Sequence, residues 1–296
     1  MRVTSSLLLT LSLLALSCGC RSHPSKAEAP ATYLDFDEAK LLSHIITWPP
    51  PLRLSKEEWD KLTDVNLTKT PCGGAEYLSY LLHISAQGTV EEAILQPYQS
   101  WCNNQKNPSD PPAFIKKHLT QAESLLKEAH FRPWIINGHP TPVLVQMSIA
   151  IAPPEKYGSF LSFPKPVDLS SVTITMQHRG CEGRCPAYNV SIRGDGTVEY
   201  QGYAYVAIKG KQIGHITREA VSELIHQFDE ANFFSALPEY VGAYDSADVL
   251  LKLDVNHTSH TVFDGSGLRV GLPTSVKNLE WLIDQTTDTH HWVYSE

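Results

Sequence analysis

Four prolines, Pro153, Pro154, Pro164 and Pro166, fall within the stretch PPEKYGSFLSFPKPVD that ends at Asp168. Each lacks a backbone donor, fixes its own φ and turns the residue before it toward extended backbone, so no helix or central strand runs through here. The chain must fold on either side of it. At 296 residues it is long enough for two domains of ordinary size, each burying its own core. The expected boundary is a Pro-rich linker at 153–169, with one domain before it over 35–152 and another after it over 170–296. A hydrophobic content of 42% is too high for a disordered chain, and 17 glycines without a repeat exclude a collagen-like one. The formal net charge of -8 argues against nucleic acid as a partner, since counterion release needs a surplus of cations.

The first twenty residues carry a separate message. Arg2 precedes a short apolar run, Leu7 to Leu16. Crossing about 30 Å of hydrocarbon takes about 20 apolar residues, so this run reads as the core of an export signal, and residues 1–20 are set aside from the fold. It ends in Ser17-Cys18-Gly19-Cys20, which resembles a bacterial lipobox, where a cysteine thiol takes a diacylglycerol and becomes the new amino terminus. Cys18 and Cys20 both fit the acylated position. The competing reading is an ordinary cleaved signal, cut near Ala27-Glu28-Ala29, with the two cysteines incidental. Acyl chains contribute ~0.8 kcal/mol per buried methylene, enough for two or three of them to hold a protein on a membrane without a spanning helix. Neither cysteine is followed by Asp, which in bacterial lipoproteins favours the outer membrane. Residues 21–34 are small, polar and Pro-containing, as suits a flexible tether.

In the first domain Asp35 to Glu38 reads as a capping box for a helix carrying Leu41, Leu42, Ile45 and Ile46, and Ser55-Lys56-Glu57-Glu58 reads as a second box. Alternation from Leu78 to Ile84, the Gln87-Gly88 turn and Val90 to Leu95 predict a hairpin. A helical stripe from Phe114 to Ala129 follows, and then Phe131 to Ile136, a turn at Asn137-Gly138 and Val143 to Ile151 predict a second hairpin. The order is that of a helix laid on a small antiparallel sheet. Over about 75–152, the run Gln87-Gly88-Thr89-Val90, the helix, Phe131-Arg132-Pro133 and Asn137-Gly138-His139-Pro140 resemble the TonB carboxy-terminal domain. That resemblance implies a periplasmic domain that holds its partner along an exposed strand edge. A cleaved signal and the absence of a long Pro-rich spacer depart from that family's pattern, so energy transduction is not implied.

The second domain alternates at Val172, Ile174 and Met176, enters a Cys181–Cys185 loop, and returns through Val190 and Ile192. Gly194-Asp195-Gly196 turns it into Val198 and Tyr200, and a strand pair from Tyr203 to Ile216 is expected to turn at Lys209-Gly210-Lys211. Thr217 caps a helix with Val221, Leu224, Ile225 and Phe228 on one face; two strands flank Asn256 to Ser259, and a last helix carries Val276, Leu279, Leu282 and Ile283. Cys181-x-Gly183-x-Cys185-Pro186-x-Tyr188, with Gly194 to Gly202 behind it, resembles a bacterial family catalogued only as a domain of unknown function, over about 170–293. It implies a fold and no activity. The fold class expected of the whole chain is α+β: two domains, each a small mainly antiparallel sheet with packed helices.

Chemistry is sparse. Cys181 and Cys185 sit in a loop whose glycines allow the close approach a disulfide needs, and in an exported protein that is the expected state. Arg179 and Arg184 could instead support a reactive thiolate, but C-x-x-x-C lacks the C-x-x-C at a helix start of thioredoxin-like proteins. Cys72 and Cys102 form the other expected pair, one disulfide per domain. Thirteen histidines include His257-x-x-His260 and His290-His291, without the converging ligands of a metal site. Asp245, Asp248, Asp254 and Asp264 are possible acid/base groups, more simply read as solvated turn and edge residues. No G-x-S-x-G, P-loop or dinucleotide fingerprint occurs, and sequons at Asn66, Asn189 and Asn256 are incidental in a bacterial lipoprotein. The reading is a non-catalytic cell-envelope lipoprotein on the periplasmic face of a membrane, a binding or scaffolding module for an envelope protein, with no cofactor and no metal. The alternative is a thiol-redox factor or other enzyme centred on the Cys181–Cys185 loop.

Overall fold

The computed structural model describes residues 31–34, 41, 44–47, 49–67, 76–97, 111, 113–181, 183–242, 247–265 and 267–294, and Ala31–Glu296 form one compact unit. Cys18, Cys20, Cys72, Cys102, Asp245 and the Asp35 to Glu38 box lie outside the described residues. The fold is α+β, built on a five-stranded and a seven-stranded sheet rather than two small ones.

The first sheet is centred on β9 (Val143–Ala152), which runs antiparallel to β4 (Glu76–Ile84) and parallel to β1 (Thr32–Tyr33) and β3 (Leu52–Arg53). β5 (Val90–Leu95) pairs with β4 as the sequence predicts. Leu78, Tyr80, Leu82 and Ile84 face the core every second residue, opposite Ile149, Met147, Val145 and Val143, as strand geometry requires. A helix α3 (Leu119–Lys127), after the single turn α2 (Ala113–Lys116), seals that face with Ile115, Ala122 and Leu126. Before it, α1 (Lys56–Leu67) starts on the predicted box: Ser55 N donates to Glu58 Oε2 at 3.0 Å and Glu58 N to Ser55 Oγ at 3.3 Å.

Two expectations fail here. Ile45 and Ile46 belong to a short strand β2 (Ile45–Thr47), not a helix, because Ile45 pairs with Phe131 of β6 (His130–Phe131). Asn137-Gly138 does make a turn with both φ positive, but it joins only β7 (Ile135–Ile136) to β8 (His139–Pro140). Val143 to Ile151 pairs along β4 instead, where its alternating apolar set finds a longer partner.

The second sheet comprises β10 (Thr173–Arg179), β11 (Ala187–Arg193), β12 (Thr197–Ala204), β13 (Gly210–His215), β14 (Glu239–Val241), β15 (Val249–Val255) and β16 (Thr258–Gly265) in the order β13-β12-β11-β10-β15-β16-β14. Neighbours are antiparallel except β14 with β16. One face is apolar and covered by α4 (Arg218–Glu230) and α5 (Thr274–Thr287). Thr173, Thr175, Gln177, Asn189, Ser191, Glu199 and Gln201 alternate with the core residues along their strands and face away from it. Thr217 caps α4 as expected, its Oγ1 accepting from Ala220 N at 3.1 Å. The hairpin turn is not at Lys209–Lys211: Gly210 already pairs with Gly202, so the loop is Tyr205 to Lys209.

The two sheets meet at Arg53 and α5. Arg53 Nη1 donates to Pro153 O at 2.9 Å, and Nη2 to Leu272 O at 2.5 Å and Thr274 Oγ1 at 3.1 Å. Trp281 of α5 packs against the first core while Val276, Leu279 and Ile283 sit in the second. Charged hydrogen bonds of this kind contribute about 1.5–3 kcal/mol each, and their loss strands buried carbonyls. Arg53→Met should therefore lower stability by about 2–4 kcal/mol in a urea titration followed by circular dichroism; a change below about 0.5 kcal/mol would show that the contact is incidental.

Candidate functional site

The Cys181–Cys185 loop joins β10 to β11. It leaves β10 through Gly180, whose φ of 82° places it in the left-handed region, and it is closed by a disulfide with Cα atoms 5.5 Å apart. Gly183 N donates to Cys181 Sγ at 3.2 Å. The helix-covered face of the sheet turns polar directly beside this loop. Register sets Tyr188, His178, Val249, Asp264 and Tyr240 in one row across β11, β10, β15, β16 and β14. Opposite them α5 presents Lys277, Glu280 and Asp284, at i, i+3 and i+7, a stripe flanking its apolar one.

Two linked clusters result. In one, Lys277 Nζ donates to Asp264 Oδ2 and to Glu280 Oε2, both at 2.7 Å, and Gly267 N donates to Asp264 Oδ1 at 2.5 Å. In the other, Tyr188 OH donates to Asp284 Oδ2 at 2.8 Å and Thr289 Oγ1 to Asp284 Oδ1 at 2.5 Å. His178 stacks on Tyr188, ring centroids 4.5 Å apart, and its Nε2 lies 4.0 Å from Asp284 Oδ2, too far for a hydrogen bond. Asp264 and Glu280 are innermost, their side chains 6% and 7% exposed, whereas those of His178, Asp284 and Lys277 keep 20%, 23% and 26%.

Burial governs the protonation states. It pushes Glu280 up to about 8, aided by the Asp264 charge and opposed by Lys277. Burial also pushes Asp264 up, but Lys277 and the Gly267 amide outweigh it and hold that carboxyl below its ordinary range. Lys277 is raised, the two carboxyls overcoming its burial. The consistent state at neutral pH is a protonated Glu280 beside an ionised Asp264 and Lys277, with no net charge. Burial lifts Asp284 to about 6 against the Thr289 and Tyr188 hydrogen bonds, and burial, helped by Lys277, drops His178 to about 3, so the imidazole is neutral. Asp284 thus titrates near neutrality beside a neutral imidazole, a pairing able to hold or release one proton.

The residues singled out from sequence divide. Asp264 enters the cluster and Cys181 with Cys185 border it. Asp254 is spent on an ion pair with Lys252 at 2.8 Å, and Asp248 accepts the Arg179 amide on its carbonyl. His257 occupies the positive-φ turn before β16, while His260 donates to the Ala236 carbonyl at 3.1 Å between Phe233 and Phe234, so the two do not converge. Among the described residues no group of three His, Cys, Asp or Glu could hold a metal ion. His178, Lys277, Glu280 and Asp284 escape the sequence reading, and Tyr188 enters it only as the end of the Cys181 signature. The readable signal was the ionisable i, i+3, i+7 stripe beside the apolar face of α5. A cleft of about 240 Å³ opens elsewhere, between residues 160–165 and the end of α4 near Asp229 to Phe234.

Residues 172–287 match the model of a family described as a domain of unknown function, DUF6438. The match runs from β10 through α5 and takes in the disulfide loop and both clusters apart from Thr289. No curated protein matches the chain.

Replacing Lys277 leaves buried acid without its cation, which typically costs 3–5 kcal/mol, so Lys277→Met should destabilise by about that much and Lys277→Met with Asp264→Asn by less. A raised carboxyl contributes stability that is complete below its unfolded value, 4.5, and lost as pH rises through about 8. Stability of the parent should fall by about 2 kcal/mol from Glu280 between pH 6.5 and 8, at 1.36 kcal/mol per pH step. Urea titrations across that range should show the fall abolished in Glu280→Gln; an equal fall in both proteins would refute the assignment.

Proposed function

We propose that this protein is a non-catalytic cell-envelope lipoprotein, acylated at Cys18 or Cys20 and held on the periplasmic face of a membrane, the outer one favoured. Residues 21–34 serve as tether up to β1 (Thr32–Tyr33), where the chain is fastened to the first sheet, 35–152 as a TonB-carboxy-terminal-like α+β domain and 170–296 as a second α+β domain, joined at 153–169. Together they bind or scaffold an envelope protein. The observation that carries this reading is β5, which has β4 on one side and no strand on the other among the described residues. Its unpaired main-chain groups can accept an extended segment of a partner, the recognition mode that the TonB-like resemblance implies. The groups that could do chemistry, by contrast, answer one another within their clusters. Among the described residues no helix is long and apolar enough to cross a membrane.

The thiol-redox alternative keeps one support: Cys181 and Cys185 are only half-buried, with Arg184 exposed between them. Insulin reduction by the parent, lost in Cys181→Ser, would favour it.

Labelling with radioactive palmitate should mark the parent and fail in whichever of Cys18→Ser and Cys20→Ser removes the acceptor. A photo-crosslinker at Ile94, 43% exposed on β5, should trap an envelope protein in intact cells, whereas one at Gln177 should not. An unlabelled chain recovered from the soluble cytosol overturns the reading.

A further inference from the structure

The Pro-rich stretch is a strap laid against the second sheet's helix layer and pinned along its length. Lys156 N donates to Gly271 O at 2.7 Å and Lys156 O accepts Tyr240 OH at 2.6 Å. Gly158 N donates to Ser235 O at 2.7 Å, Leu161 N to Ser235 Oγ at 3.0 Å, and Ser235 Oγ returns a bond to Leu161 O at 3.3 Å. Past the apex Phe163 packs edge-on against Phe234, centroids 5.4 Å apart.

Between these pins the strap holds Phe160 and Leu161 outward, 78% and 55% exposed. Phe160 is the most exposed large apolar side chain among the described residues. A loose loop would fold such a pair inward. Here both backbone groups of Leu161 are tied to buried Ser235, so the pair is displayed by construction. The cleft behind the apex extends the apolar surface to Phe163, Phe233 and Phe234. Tyr157, 41% exposed, stands nearer the base. Lys156 and Lys165 close the strap at its two ends, and Lys156 to Lys165 contains no acidic residue in a chain of net charge -8. Lys165 itself is held by Asp229 at 2.6 Å. Apolar tip, aromatic flank and cationic base follow the depth order of a bilayer interface: acyl chains, glycerol region, phosphates.

We propose that the Lys156–Lys165 strap is a membrane contact, with Phe160 and Leu161 inserted among acyl chains at the bilayer interface and Lys156 at the anionic head groups. This rests on the lipid-anchor reading for the nearness of a bilayer. The occupant is a lipid surface because the strap offers a projecting apolar tip with Lys156 at its base and, apart from the Tyr157–Ala236 bridge, no strand pairing, so it presents no ladder to a protein.

The test uses Phe160→Trp in the full chain, on vesicles of phosphatidylethanolamine with a minority of phosphatidylglycerol, with plain or brominated acyl chains. Emission in excess of the parent should move to the blue on vesicles and fall by about twofold or more with brominated lipid, as for a side chain at acyl-chain depth. Tyr203→Trp, on the open face of the sheet, should show neither change. A chain starting at Arg21, tethered through an amino-terminal hexahistidine tag to nickel-chelating lipid, reads the strap without the anchor. A full chain that fails to sediment with vesicles, while the tethered chain is quenched, refutes the anchor and upholds the strap. A chain that sediments with an unquenched tryptophan overturns the strap and spares the anchor. Crosslinking from position 160 to an envelope protein, with no quenching, replaces the bilayer by a protein contact.

Discussion

One ammonium group, Lys277, sets the arrangement of the second half of the chain. It reaches across from α5 to Asp264 on β16 and along its own helix to Glu280. Two carboxyls cannot both ionise so close together in a buried place, so one keeps its proton and the three groups sum to zero. That neutrality is what lets ionisable residues sit against the helix-covered face of a sheet whose next row is Tyr200, Val190, Met176, Leu251 and Val262. It also fixes the rotation of α5. With Lys277 facing β16, the apolar stripe of Val276, Leu279 and Ile283 meets the sheet and Trp281 is turned outward onto the first core. Gln285, one turn on, donates to the Ile46 carbonyl from the same outward side.

Perturbed protonation usually marks a place where chemistry is done, but only where a substrate can enter. Here the burial that raises Asp284 and Glu280 also supplies each with a partner from the fold itself: Tyr188 and Thr289 for one, Lys277 for the other. A cleft lies beside Phe233 and Phe234, lined by residues outside both clusters. The disulfide loop has the corresponding role at the strand ends. It holds the β10–β11 turn in the register that places His178 opposite Tyr188. The clusters therefore read as the fastening of α5.

What was legible in the sequence was what local physics decides. Alternation gave β4, β10 and β11, apolar runs beside turns gave β5 and β15, the Ser55 box and Thr217 gave two helix starts, and Gly-rich Cys spacing gave the disulfide. Long-range competition decided the rest. Ile45 and Ile46 fit a helical stripe equally well, and only Phe131, more than eighty residues on, makes them a strand. Gly210 looks like a turn residue until its pairing with Gly202 is known. The Lys277, Glu280 and Asp284 stripe was hidden for another reason: ionisable residues at helical spacing ordinarily mark a solvated face, and nothing local says that this one is roofed by a sheet.

The same distinction explains the prolines. Proline removes a donor and leaves the carbonyl, so a Pro-rich stretch cannot join a ladder yet keeps every acceptor it had. Its order then draws on donors supplied elsewhere in the fold beside its own remaining amides at Lys156, Gly158 and Leu161. Arg53 gives to the carbonyl of Pro153, Tyr240 OH to that of Lys156, and Asn256 Nδ2 to that of Pro166 at 2.6 Å. These three donors come from β3, β14 and the β15–β16 turn, so a segment that reads as a break between two folded halves is fastened from both of them. The prolines that keep it out of regular structure are what leave its apex free to carry Phe160 and Leu161 on the surface instead of in a core.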